Sequence, residues 1–122
     1  VADGWDADGA PGIVYTTDWE GKPVSTTDAL ALAEAINTSS TLARVTGKPE
    51  YVEHYAEFLQ YADEYVIDHV NGSWFHQLDR NNRLLNTVWP GKSDLYHATQ
   101  SMMIPLNDSS RSIAPAAKQS GY

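Results

Sequence analysis

The stretch Trp89–Gln100, WPGKSDLYHATQ, gathers residues whose types and spacing suit proton chemistry. His97 and Gln100 are three apart, so a helix puts both on one face. Asp94 precedes His97 by the same interval, and Tyr96 is its neighbour. An imidazole that is neutral near pH 7 can accept or return a proton. The same spacing also serves a histidine hydrogen-bonded within a core, and residue types alone leave both readings open.

A second group lies upstream. Trp74, His76 and Gln77 offer a stacking face, a proton carrier and an amide, which suits a polyol ligand. A hairpin that only packs its aromatics has the same composition. Glu34 stands among Ala31, Ala33 and Ala35. On a solvent face it is unremarkable; on a buried face it needs a polar partner and becomes a candidate site residue. His54 and His69 fall on a helical pattern rich in tyrosine and read as structural or surface residues. Neither His-Glu-x-x-His nor an aspartate-rich loop occurs, so no metal is expected. Gly91-Lys92 lacks the glycine frame of a phosphate loop. With no cysteine, disulfides and thiolate chemistry are excluded.

These residues need elements to position them. Ser25–Thr46 reads as a first helix, with Ser25 and Asp28 in a capping-box pattern and Gly47 as a left-handed stop. Its alanines leave a narrow surface that a neighbouring helix can approach. Pro49–Asp68 reads as a second helix, opened by proline at its first position. Tyr51, Tyr55, Phe58, Leu59, Ala62, Tyr65, Val66 and His69 form its apolar stripe. Asn71-Gly72 turns the chain into a β-hairpin, Ser73–Asp79 against Leu84–Val88. Ser93 or Asp94 then caps a third helix from Leu95 to Ile104, stopped by Pro105. Residues 1–24 read as an irregular loop with a small hairpin, in which Trp5, Tyr15 and Trp19 either pack or stack on a sugar. Residues 106–122 read as a loosely held tail.

A chain of 122 residues is one domain at most. Its net charge of −8 repels phosphate backbones, so nucleic acid is not an expected partner. No apolar run is long enough to span a bilayer, and the composition fits the cytoplasm.

Two segments resemble the C-terminal signature of the N-acylglucosamine 2-epimerase superfamily, and most closely its mannose isomerase and aldose–ketose isomerase branch. They are Gly72–Asp79, GSWFHQLD, and Thr87–Gln100, TVWPGKSDLYHATQ. Gly12–Tyr15, Asp18, Trp19 and Gly21–Pro23 are similar to the loop before a late barrel helix of that branch, and Ala33–Ile36 to the helix that follows. The resemblance implies an all-α fold, the C-terminal portion of an (α/α)6 barrel, with about three helices and two small β-hairpins. It implies cofactor-free proton transfer between C1 and C2 of a monosaccharide such as mannose or fructose, through an enediol. His97 matches a catalytic histidine, acting in proton transfer and ring opening, and Glu34 matches a pocket carboxylate. Trp74, His76, Trp89, Lys92, Asp94, Tyr96 and Gln100 complete the expected sugar site. The second histidine of the family lies in a His-x-x-Glu helix upstream of anything resembling Val1. Where the family carries an aromatic before the pocket carboxylate, this chain has Ala29 and Leu30.

The expectation is therefore a part or short form of a sugar isomerase, inactive by itself, that self-associates or joins a separate N-terminal barrel segment. The alternative is a carbohydrate-binding or oligomerisation module in which Trp74, Trp89 and Tyr96 stack on sugar without proton transfer.

Overall fold

The computed structural model describes residues 3–23, 27–87 and 89–107. Strand β1 (Thr27–Asp28) leads directly into helix α1 (Ala29–Thr46); helix α2 (Pro49–Tyr61), strand β2 (Gln77–Leu78) and helix α3 (Leu95–Met103) follow. Helix α1 is the centre, packing on α2 along one side and on α3 along another. Its Ala33, Ala35, Leu32 and Ile36 are fully buried. Small side chains permit this, because they let two helices approach the same cylinder closely.

Each helix end has a local cause. Asp28 accepts a hydrogen bond from the Leu30 N–H at 2.8 Å and starts α1. Ser25, the expected cap, lies outside the described residues. Gly47 takes φ 68°, a left-handed conformation that glycine adopts without cost, and its N–H returns to the Ala43 carbonyl. Arg44, in the last turn of α1, donates to the carbonyls of Ile104, Pro105 and Asn107. A guanidinium at the C-terminal end of α3 answers its free carbonyls. Because Glu34 meets His97 near the start of both helices and Arg44 meets Ile104 near their ends, α1 and α3 run parallel.

The second helix departs from expectation. Its α-helical part ends at Tyr61, and Ala62–Val66 form a π-helical turn in which the Ile67 N–H reaches back to Ala62. The extra residue in that turn lets Tyr61 and Val66 both face the core. Tyr61 was not on the expected stripe. His69 was, but it is exposed and bonds the Asp63 carbonyl at 2.8 Å.

Of the two expected hairpins, the first has its turn at Trp19–Lys22 as expected and the second is shorter than expected. Near the start, Trp5 pairs with Ile13 and Thr17 with Pro23 through single bridges. Gly12 sits there at φ 132°; a Cβ would meet Thr27 Oγ1 at 2.3 Å and the Tyr61 hydroxyl at 2.7 Å, so only glycine fits. In the second hairpin, Asp79–Arg83 does turn the chain, and Leu78 bridges Leu84; Val88 lies outside the described residues. The main partner of β2 is instead β1, antiparallel, with Asp28 opposite Gln77 and Thr27 opposite Leu78. At the start of the expected tail Leu106 is exposed, while Asn107 is buried and its amide donates to the Met103 carbonyl. Residues 108–122 of the expected tail lie outside the described residues. Among the described residues no helix is long and apolar enough to cross a membrane.

Candidate functional site

The pairing of β1 with β2 places two distant stretches side by side. The Ala29 N–H donates to the His76 carbonyl at 2.9 Å, so the start of α1 and the His76 strand are locked together. Asp28 is nearly fully buried. One of its oxygens caps α1, and the other lies 3.8 Å from His76 Nε2. The segment after Trp89 is then stitched to the same strand. The His76 N–H reaches the Gly91 carbonyl at 3.3 Å, and the Ser93 N–H reaches the Trp74 carbonyl at 2.8 Å. Trp89 thereby stacks on His76, with ring centroids 5.8 Å apart and planes within 10° of parallel.

Asp94 caps α3 by accepting from the His97 N–H at 2.9 Å. The same carboxylate holds the His97 ring, its oxygens 3.0 and 2.9 Å from Nδ1. A carboxylate only accepts, so Nδ1 carries a hydrogen, and whenever the ring is neutral its Nε2 is bare. Glu34 Oε1 lies 3.8 Å from that Nε2. The hydrogen bond from the His97 backbone, with help from the imidazole, keeps the Asp94 carboxyl below its ordinary pKa. Tyr96 packs edge-on against the His97 ring at 4.9 Å.

A cleft of about 280 Å³ opens here, lined by Tyr15, Asp28, Leu30, His76, Trp89 and Asp94. That is close to the lower size of small-molecule pockets, about 300 Å³. It combines two aromatic side chains, one imidazole and two carboxylates, and Asp94 links it to His97. Such a set can stack a ring face, accept hydrogen bonds from hydroxyls and carry a proton.

The expected site residues divide. His76, Trp89 and Asp94 come together in the cleft, with His97, Glu34 and Tyr96 joined to it through Asp94 and the His97 ring. Gln100 opens instead onto a separate depression of about 460 Å³ along α3, with Leu95, Tyr96, Thr99 and Met103. The stacking expected of Trp74 is corrected: its ring is 5% exposed and packed in the core. Lys92 is corrected as well, since it pairs with Asp68 and lies over the Phe75 ring, away from the cleft. Sequence reasoning missed Asp28 and Leu30 as cleft residues. Asp28 carried only a capping signal; its approach to His76 depends on a pairing between residues about fifty positions apart. Among the loop aromatics, Trp5 packs edge-on against Phe58 and Tyr61, whereas half-exposed Tyr15 joins the cleft.

A His-x-x-Glu spacing does occur within α2, as His54 and Glu57. It lies elsewhere: His54 stacks on Phe58 and borders an apolar cavity of about 170 Å³ with Trp5, Leu42 and Tyr51.

The helices thus hold a histidine–carboxylate cleft at the starts of α1 and α3. The family model described as N-acylglucosamine 2-epimerase (GlcNAc 2-epimerase) matches residues 1–101, and the chain belongs to that family. It is 41% identical over 114 residues to a D-mannose isomerase of Pseudomonas cannabina pv. alisalensis, covering 93% of this chain and 28% of that protein. It is 38% identical over 118 residues to a D-mannose isomerase of Thermobifida fusca, covering 95% of this chain and 29% of that protein. Among solved structures, a D-mannose isomerase matches with a TM-score of 0.75 at 23% identity, over 86% of this chain and 27% of the other. A cellobiose 2-epimerase from Spirochaeta thermophila DSM 6192 matches with a TM-score of 0.58 at 15% identity, over 71% of this chain and 23% of the other. The all-α fold expected from the sequence is therefore the fold found, as part of larger epimerase and isomerase structures. The chain spans under a third of the length of the relatives it matches.

Proposed function

We propose that this chain carries the His97 side of a sugar site that interconverts an aldose and its ketose, with mannose and fructose as the expected pair. The Asp94–His97 dyad supports this most directly: the imidazole is fixed by an aspartate that lines a cleft with an aromatic platform. At that site His97 Nε2 takes the proton from C2 of the open-chain aldose. The electron pair forms the C1–C2 double bond of an enediol while O1 gains a proton. Returning a proton to C1 and removing the O2 proton yields the ketose. No electrons are gained or lost, so the chemistry needs only proton carriers. Asp94 holds the ring, and Glu34 lies within Coulombic reach of a proton on Nε2. Trp89 and Tyr96 supply stacking faces.

A proton shift through an enediol is served best by two carriers, and the chain spans only 28–29% of the matched D-mannose isomerases. We therefore expect the 122 residues alone to bind sugar and turn it over little. Exposed Leu95 and Tyr96 on α3 make self-association, or docking of a complementary barrel segment, the expected way to complete the site.

The test is deuterium exchange at C2 of mannose in heavy water. The chain is assayed alone and with a second polypeptide comprising the unmatched part of the Thermobifida fusca relative. Exchange should appear in the mixture and vanish with His97→Ala. Enzyme-like exchange by the chain alone would refute the divided site, and exchange surviving His97→Ala would refute the role of His97. Saturable binding with no exchange in either sample would favour a carbohydrate-binding module, a reading that the half-exposed Trp89 platform also suits.

A further inference from the structure

Lys92 stands between Trp89 and Asp94, two cleft residues, yet points away from the cleft. Its ammonium pairs with Asp68 Oδ2 and lies 4.2 Å from the centre of the Phe75 ring. Asp68 is itself immobilised. Its Oδ1 accepts from the N–H groups of Val70 and Asn71 at 2.9 and 3.0 Å, and its Oδ2 accepts from the Asn71 amide at 3.1 Å. Its backbone closes the same turn, through Gly72 and Ser73. Asp68 is thus a buried, fixed anion whose own turn supplies every partner except Lys92. Trp89, Pro90 and Gly91 are exposed. Among the described residues the loop is otherwise tied by the Trp89 stack on His76, a bridge of Lys92 to Phe75 and single hydrogen bonds from Gly91 to Asn86, from His76 to Gly91 and from Ser93 to Trp74, and its end by Asp94 on His97.

We infer that the Asp68–Lys92 pair is a latch that positions the Trp89–Asp94 loop, so that Trp89 stacks on His76 and Asp94 meets His97. Lys92 is then a positioning residue and does not touch the sugar. The partial burial of the pair suits this role. Asp68 is buried while Lys92 is partly exposed, so removing the cation strands a buried carboxylate. A catalytic dyad displaced by about 1 Å can lose orders of magnitude in rate, so a loop at the cleft mouth benefits from a rigid anchor. As it concerns sugar binding, the inference rests on the function proposed above.

The experiment compares the whole chain with Lys92→Met, which keeps the aliphatic stem over Phe75, and with Lys92→Arg. Without sugar, the NMR signals of the Trp89 indole and the His76 and His97 imidazoles should shift or broaden in Lys92→Met. Those of Phe58 and Tyr61 should stay in place, and Lys92→Arg should restore the loop signals. Mannose affinity should fall about tenfold in Lys92→Met and recover in Lys92→Arg. Loop signals that stay at their wild-type positions would overturn the latch. A fall in affinity with those signals unmoved would also overturn it, by making Lys92 a direct sugar contact. If the wild-type chain binds no mannose, the sugar reading fails, while the sugar-free signals still decide the latch. If Lys92→Met loses the Phe58 and Tyr61 signals, Asp68→Asn replaces it with the same expected result.

Discussion

His54 and His97 each sit on a helix with an acidic residue three positions away, but on different sides of α1. On the α2 side, Glu57 follows His54 along an exposed surface and stays 3.8 Å from its ring. His54 stacks on Phe58, and its surroundings are the apolar cavity behind Trp5. On the α3 side, Asp94 precedes His97 and is the N-cap of the helix. The cap bond fixes the carboxylate, and the fixed carboxylate fixes the ring at 2.9 Å. Asp28 plays a related double part, capping α1 and lying 3.8 Å from His76. An acid that must cap a helix is already ordered, so orienting a histidine costs little further entropy. A freely rotating surface glutamate has no such advantage.

Phe58→Ala should break both sides together. Phe58 is fully buried between α1 and α2, and its loss should cost about 3–5 kcal/mol of unfolding free energy in a denaturant titration. Asp94→Ala should separate the sides. It removes the cap of α3, with an expected cost of about 1 kcal/mol, and frees the His97 ring. The paired change Glu57→Ala should shift stability by less than about 0.5 kcal/mol, because the pair it removes is exposed. Equal losses from the two substitutions, measured side by side, would erase the distinction drawn here.

A further effect, whose pH dependence shows only in acid, concerns Asp68. The Lys92 ammonium and the amides of its turn hold its carboxyl well below the usual carboxylate range. Its folded-state pKa lies below the unfolded value, so its contribution is complete above about pH 4 and is lost as pH falls toward the folded value. The melting temperature should therefore drop in acid, and Asp68→Asn should flatten that part of the profile. An unchanged acid profile in Asp68→Asn would remove Asp68 from the account.

Much of this arrangement was legible in the sequence because its causes are local. Gly47, Pro49 and Asp94 mark helix ends through backbone geometry and a single side chain. The stretch Trp89–Gln100 carried the family resemblance, and the family match includes all of it. What was not legible depends on contacts between distant residues. Nothing near Asp28 announces that it lies opposite Gln77. The π-helical turn that buries Tyr61 breaks a helical period that the sequence continues smoothly to Val66. Trp74 and Trp89 look alike as aromatic neighbours of polar residues, yet one is core and the other is half exposed. Lys92 entered the expected sugar site through the family resemblance, and its partner Asp68, twenty-four residues away, gave no sign of the pairing.

The central claim is that the cleft beside His97, and not the cavity beside His54, is where sugar meets this chain. It is tested most directly by following the four histidine imidazoles by NMR as mannose is added. The account predicts that His97 and His76 signals move together and saturate with one affinity, while those of His54 and His69 stay fixed. Movement of His54 with His97 and His76 unmoved would contradict it.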